Sequence, residues 1–495
     1  MWLPLAAMGV LLVYMPAFGV GFYGDDFEWL QSIYGVRHNP WLLLSPANNS
    51  FFRPLVKLSY FVDFLLFGTD QVGFAATTVA IHISNVILLG LLVRMLGRSW
   101  RTSAMVAFLW GSSALNDEVL LSAACRPDSI SFMFMLLSMV ICARAGSLRG
   151  LAWPMSILCA GFAAGSKESW VILPLLVSTM LWLVMGVRLI DSVRRTVLLF
   201  GVALTYTLLL VGVPVLRRDL SPLGYATWET SQMVRKAAYM PLKYVGLGEG
   251  FQGTALEIGL VLAVLTATLV VLHMLRAKLA LFGLTWMLIA IAPTIPIHYL
   301  PNRYHYVPLA GLWIAIVAIV VDLVPYLSRR IGLRDSPLWA GVVCWLFLHT
   351  ANQTILINWD IRDMVRYSEI HALIVDAFEG VRGKLGVGKL FLFRNDGRLR
   401  MRDRMQAELS GSRKLLYARE GSIWQLIRFE ALAEFSEDAF DYKIVAVSPA
   451  ELRSVRATIP LLVFTDEGFR WDAGLTPPAA HQVPAGTRAY RRVPR

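Results

Sequence analysis

Charge is what this sequence has least of. Only 16% of its 495 side chains are Asp, Glu, Lys or Arg, against 56% that are hydrophobic, which is too little polar surface to wrap a soluble globule of this size. Cysteine is scarce as well. The four residues Cys125, Cys142, Cys159 and Cys344 lie in or beside apolar segments and form no CxxC pair. That spacing excludes a zinc ribbon and predicts no disulfide framework. A repeat at tetratricopeptide spacing is absent too, and with it a helical solenoid. What is present is a succession of apolar runs, each near the roughly 20 residues that cross a bilayer.

Eleven such runs are readable, at 2–22, 72–93, 102–116, 129–143, 151–165, 169–187, 196–215, 253–274, 279–297, 306–325 and 337–357. The chain is therefore expected to be a polytopic α-helical membrane protein with about 11 transmembrane helices. The first run has no basic stretch before it and is read as an uncleaved span rather than a signal peptide. Residues 55–68, with Lys57 and Asp63 among apolar neighbours, are expected to form a helix in the membrane interface.

With a cytoplasmic N-terminus, the cytoplasmic turns carry Arg94, Arg98 and Arg101; Arg144 and Arg149; Arg188, Arg194 and Arg195; Arg276 and Lys278; and Arg329, Arg330 and Arg334. All five are short and basic, as the positive-inside rule requires. They account for much of the net charge of +12 without a polyanion, so no nucleic-acid partner is expected. The opposite, extracytoplasmic side then receives "YGDDFEWL", "LNDEVLLSAACRPD", "GSKES", the 217–250 loop and "HYLPNRYHY". Ionisable groups at membrane depth are costly and mark functional sites by default.

"YGDD" also occurs in nucleic-acid polymerases, but a chain of membrane spans excludes a polymerase palm. Asp25 and Asp26 stand where the first span leaves the bilayer. Two adjacent carboxylates repel, so one can hold a raised pKa or a cation can bridge them, and either state suits a general base. A solvated loop or helix cap is the plainer alternative. Arg53, Lys167 and Arg303 lie at outer membrane edges, where a lipid phosphate would sit. Taken singly, each could equally be an interfacial side chain reaching for water. Asp117, Glu118, Arg126 and Asp128 form a second charged group, which could bind substrate, hold a metal or pair internally. Tyr304 and His305 offer hydrogen bonds to a sugar or phosphate, and His82 is expected to bond to a neighbouring helix.

Taken in order, "GDD", "FFRPLVKLSYFVDFLLFG", "IHISN", "DEVLLSAACRPDSISF", "GSKESWVILPLL" and "NRYHYVPLAG" resemble the GT-C class of membrane glycosyltransferases. The likeness is to the branch holding protein O-mannosyltransferases and the transmembrane O-mannosyltransferases, without the tetratricopeptide repeats of the latter. It implies a GT-C-like fold and a sugar donor linked through phosphate to a polyprenyl chain. It also implies transfer on the extracytoplasmic side to a hydroxyl of a protein or cell-envelope glycan.

Carried over, the resemblance makes Asp25 or Asp26 the catalytic base. Arg53, Lys167 and Arg303, with Tyr304 and His305, become the lipid-phosphate and donor site. Asp117, Glu118, Arg126, Asp128 and Glu168 become substrate-binding or structural residues. A divalent cation, Mg or Mn, at Asp25 and Asp26 is left open, because two carboxylates alone fix neither ion nor coordination number. Membrane lipids, the donor and the acceptor are the expected partners. The expected location is a bacterial inner membrane, with the active site and C-terminal domain periplasmic. A transporter lined by these charges, or an inactive scaffold, is the alternative from another class.

Residues 1–357 are thus expected to form the transmembrane catalytic domain. Residues 358–495 turn polar, and their short apolar runs "KLFLFRN", "DYKIVAVS" and "IPLLVFTDEGF" read as strands of a small C-terminal α/β domain.

Overall fold

The computed structural model describes residues 2–22, 26–37, 39–45, 52–145, 150–216, 229–248, 251–297, 301–330, 341, 344–362 and 364–365, together with four strands near the C-terminus. These residues fall into two compact units. The first holds Met1–Ala17, Leu44–Ser59 and Ala75–Asp360, and the second Phe18–Leu43, Tyr60–Phe74 and Ile361–Arg495.

The α-helices are α1 (Trp2–Tyr14), α2 (Asp26–Tyr34), α3 (Pro54–Phe67), α4 (Gln71–Met95), α5 (Trp100–Gly111), α6 (Asp117–Leu121), α7 (Arg126–Ala145) and α8 (Ala152–Ala164). They continue as α9 (Leu173–Thr179), α10 (Leu189–Leu216), α11 (Thr230–Tyr244), α12 (Ala255–Met274), α13 (Lys278–Ile291), α14 (Tyr306–Ala318) and α15 (Val324–Arg330). Residues 344–362 are helical as well. Among the described residues, each of the eleven apolar runs overlaps helical structure.

The chain is an integral membrane protein built from several spans. Among the described residues five helices are long and apolar enough to cross a bilayer: Trp2–Gly19, Gln71–Met95, Ala123–Ala145, Ala255–Met274 and Asn302–Asp322. Three shorter apolar helices, Ala152–Ala164, Glu168–Val184 and Lys278–Thr294, accompany them. Helix α12 shows what surrounds the protein, since Leu256, Leu260, Val264 and Met274 are exposed along it and Leu272 alone is buried. Acyl chains, unlike water, accept such a surface at no cost.

Helix α3 is turned the same way. Leu58, Val62, Leu65 and Leu66 are exposed, while Lys57 and Asp63 are buried. Its polar residues face protein rather than headgroups, and Lys57 Nζ donates to the Ser45 carbonyl at 2.9 Å and the Ser45 hydroxyl at 2.8 Å. The helix faces apolar surroundings with its apolar stripe.

Helices α13 and α14 meet at two glycines. A Cβ on Gly283 would stand 2.5 Å from the Ala315 nitrogen and 2.6 Å from the Gly311 oxygen. One on Gly311 would stand 2.6 Å from the Gly283 oxygen and from the Met287 nitrogen. With no side chain at either position, the two backbones come into contact, which is how membrane helices gain dispersion energy without a hydrophobic drive.

In the second unit an aromatic cluster joins Phe22, Trp29, Tyr60 and Phe74, with ring centroids 5.2–6.3 Å apart. Its four-stranded sheet has the order β2-β1-β3-β4, with β1 at Leu390–Asn395, β2 at Lys443–Ala446, β3 at Leu461–Thr465 and β4 at Gly468–Asp472. Strand β1 runs parallel to β2 and β3, and β3 pairs antiparallel with β4. All three expected runs carry a strand. The third, read as one strand, holds β3 and the start of β4, which pair antiparallel with each other.

Candidate functional site

In the first unit, five stretches far apart in sequence meet at the ends of their helices. Pro54 opens α3 directly after Arg53, where a missing N–H costs nothing. The Leu55 amide donates to the Gly165 carbonyl at 3.2 Å, which ties the start of α3 to the turn carrying Lys167 and Glu168. Lys167 is extended and its amide donates to the Ala163 carbonyl at 3.0 Å, so the side chain leaves the end of α8. Asp128 sits in the first turn of α7, where the helix dipole favours a carboxylate. Arg303 lies in the short turn Asn302–His305 that leads into α14.

These residues pair one to one. The Arg53 guanidinium grips Glu168 with both prongs, Nε to Oε1 at 3.1 Å and Nη2 to Oε2 at 2.8 Å. Lys167 Nζ donates to both carboxylate oxygens of Asp128, with the two side chains almost fully buried. Arg303 Nη1 donates to Glu118 Oε1, and the Arg303 amide donates to Glu118 Oε2 at 3.0 Å. Tyr304 lies between the cations, its ring centroid 5.0 Å from Lys167 Nζ and 5.5 Å from the Arg303 guanidinium carbon. The two charged groups separated in the sequence reading are therefore one network. Three cations are each matched by a carboxylate from the other group.

Burial lowers the pKa of Lys167, and the positive charges of Arg53 and Arg303 lower it further, against the pull of Asp128. For Arg53 burial works in the same direction and is the largest single influence, but Glu168, with Asp128 and Tyr304 behind it, turns the net shift upward. Each arginine is thus a permanent charge, and Lys167 is the cation that gives up its proton most readily.

A second set of contacts extends from Arg303. Asp117 Oδ1 accepts from Asn302 Nδ2 at 3.0 Å and from the Glu118 amide at 2.6 Å. Lys243, at the end of α11, donates to Asn302 Oδ1 at 3.1 Å and lies 3.1 Å from His305 Nε2. An ammonium can only donate, so Nε2 is the acceptor and His305 is the neutral tautomer with its proton on Nδ1. That proton points at the Tyr244 hydroxyl oxygen, 3.0 Å away. Lys243 and Tyr244 were not singled out in the sequence. The one available signal was a lysine and a tyrosine closing a helix inside the 217–250 loop.

Beneath this layer further polar groups link the helices. Tyr306 receives the Asn85 Nδ2 hydrogen bond at 3.1 Å and donates to His82 Nδ1 at 2.7 Å, and His82 Nε2 donates to the Gly111 carbonyl at 3.0 Å. His82 does link neighbouring helices, from α4 to α5 and α14. Arg126, fully buried, holds Thr78 Oγ1 at 3.1 Å and Ser59 Oγ at 2.9 Å, so it joins α7 to α3 and α4.

The cluster lies at one end of the helices and basic residues lie at the other. Asp128 and Arg144 are separated by sixteen residues of α7, about 24 Å at the α-helical rise. Along the Asn302–Asp322 span, Arg303 is at one end and Asp322, paired with Arg98, at the other.

Asp26 is the first residue of α2 in the second unit and is buried. Asp25, "YG" before it and the stretch 217–228 lie outside the described residues. Among the described residues no three of His, Cys, Asp and Glu gather as a metal site.

No family model matches the chain. The protein O-mannosyl-transferase tmtc2 of Xenopus laevis is 27% identical over 180 residues, 33% of this chain and 21% of the relative. By sequence, the chain resembles the transmembrane O-mannosyltransferases. It spans about a fifth of the length of that relative. Among solved structures, ArnT from Cupriavidus metallidurans bound to undecaprenyl phosphate aligns over 93% of both chains at 12% identity and a TM-score of 0.45. Apo ArnT aligns over 94% of this chain and 92% of that one, at 12% identity and a TM-score of 0.47.

Proposed function

We propose that this protein transfers a sugar from a polyprenyl-phosphate-linked donor to an acceptor hydroxyl, on the membrane face opposite its arginine-rich turns. The observation that carries the reading is the convergence of Arg53, Lys167 and Arg303 around Tyr304 at one end of the helices. The order of motifs shared with O-mannosyltransferases supports it, as does the sequence likeness to tmtc2.

In this reading Asp25 or Asp26 takes the proton of the acceptor hydroxyl as its oxygen attacks the anomeric carbon. The bond from that carbon to the phosphate oxygen breaks, and the polyprenyl phosphate leaves with the electron pair. Attack from the side opposite the phosphate inverts the anomeric configuration. A phosphate leaves readily once its growing charge is neutralised, so a cation clamp replaces a general acid. Glu168, Asp128 and Glu118 hold those cations in place before the donor arrives and share them with the phosphate afterwards. No step is routed through a metal. A divalent ion would find its ligands in Asp25 and Asp26.

The acceptor is a protein or a cell-envelope glycan. We place the enzyme in a bacterial inner membrane, with the site and a small α/β domain of residues 358–495 on the periplasmic side. The test is sugar transfer in membranes carrying wild type, Asp25→Asn or Asp26→Asn at equal protein levels. Loss of about 10²-fold or more in one variant supports a base at that position. Full activity in both removes this mechanism.

A further inference from the structure

Ser169 and Trp170 directly follow Lys167 and Glu168. Trp170 is fully buried, and among the described residues its indole N–H has no hydrogen-bond partner. The same holds for Ser169 Oγ beside it and for the hydroxyl of Tyr206 on α10. The rings of Trp170 and Tyr206 meet edge to face, centroids 5.5 Å apart. The Tyr206 hydroxyl lies within the electrostatic reach of both Glu168 and Arg53. Three buried polar atoms without partners thus come from two elements at the flank of one ion pair of the cation cluster. A buried donor left unsatisfied is expensive, and natural chains tolerate it where a ligand completes the bond.

We propose that Ser169, Trp170 and Tyr206 form a subsite for the hydroxyl groups of a neutral sugar ring, next to the cations that take its phosphate. This rests on the donor reading given above. An indole N–H only donates, and the two hydroxyls donate or accept, a set that matches the hydroxyls of a hexose. None of the three carries a charge. The nearby Glu168 is held by both prongs of Arg53 and offers little to the ammonium of an amino sugar. A second phosphate is equally ill served, since Arg53 and Lys167, the nearest cations, are those that take the donor's own phosphate in the reading above.

The test compares binding of a C55 polyprenyl phosphate with and without a mannosyl group to the detergent-solubilised full chain, as wild type, Tyr206→Phe and Ser169→Ala. Both substitutions remove only an unsatisfied polar atom. The expected melting temperatures are equal to or above wild type, while affinity for the mannosyl lipid falls by about three- to ten-fold per variant and affinity for the bare lipid is unchanged. Unchanged affinity for both lipids overturns the subsite, as does an equal loss for both. A lowered melting temperature with no preference between the lipids marks the site of a buried water instead and also overturns it. A wild type that binds neither lipid overturns the donor reading itself, and the subsite falls with it. Loss of the subsite alone leaves the donor reading intact.

Discussion

Substituting Gly283 by alanine adds one methyl group where two helices touch backbone to backbone. The new Cβ would lie 2.5 Å from the Ala315 nitrogen and 2.6 Å from the Gly311 oxygen, about 0.9 Å inside the 3.4 Å at which ordinary contact begins. Both obstacles are main-chain atoms of α14, so no rotamer change relieves them. The helices must separate or shift along one another. Overpacking of this kind costs typically about 1–3 kcal/mol.

A shift of α14 also carries the Asn302–His305 turn, and hence Arg303, because the turn runs directly into the helix. A misplacement near 1 Å in a reacting cluster is enough to cost about 10²-fold in rate. The assay is thermal unfolding of the purified protein in detergent, paired with sugar transfer at a temperature well below the transition. Gly283→Ala is expected to lower both. Gly311→Ala, whose Cβ would stand 2.6 Å from the Gly283 oxygen, is expected to do the same. The double variant should cost less than the sum, since one separation of the helices relieves both clashes. Wild-type stability in either single variant would refute the close approach and the argument built on it.

Three further outcomes follow from the site. Arg53→Lys keeps the charge but loses the fork that grips Glu168, so the KM for the donor should rise by about ten-fold with a smaller change in kcat; an unchanged KM would remove Arg53 from donor binding. Tyr306→Phe strips the hydroxyl that links Asn85 to His82 and leaves buried groups unpaired, a loss of about 1–3 kcal/mol read as a lower melting temperature, and wild-type stability would contradict the network. Because burial lowers the pKa of Lys167, its charge disappears as pH rises before that of an ordinary lysine, so donor affinity should fall on the alkaline side. Lys167→Arg should abolish that alkaline limb, and a limb identical in both proteins would assign it to another group.

Much of the architecture was legible because a bilayer imposes its thickness on a chain. The apolar runs fall on helices, and the basic turns and the acidic motifs of α7 come out at opposite ends, as the charge pattern implied. His82 was readable as an interhelical group because a polar side chain at membrane depth has few other options. Strands in the polar C-terminal stretch were visible as short apolar runs, although the third run holds β3 and the start of β4 rather than one strand.

Pairing was not legible. Nothing in "NDEV" or "NRYHY" says that Glu118 meets Arg303, or that Asp128 of "CRPD" meets Lys167 of "GSKES", because contact between helix ends depends on which helices are neighbours. The packing of Lys57 and Asp63 on α3 was not legible for the same reason. A stripe of leucines opposite Lys57 and Asp63 reads alike whether lipid or protein covers it, and burial alone decides.

The sequence by itself determined that this chain enters a membrane, which turns are basic and which residue types gather on the other side. Those properties follow from hydropathy and charge, which are additive along a chain. Tertiary structure decided that three cations and three carboxylates close into one network, that Lys243 and Tyr244 join it through His305, and that among the described residues Trp170 and Tyr206 are left with open hydrogen bonds. Those properties depend on distances of a few ångströms between residues far apart in sequence, 39 positions for Lys167 and Asp128 and 185 for Glu118 and Arg303, and the packing of helices sets such distances.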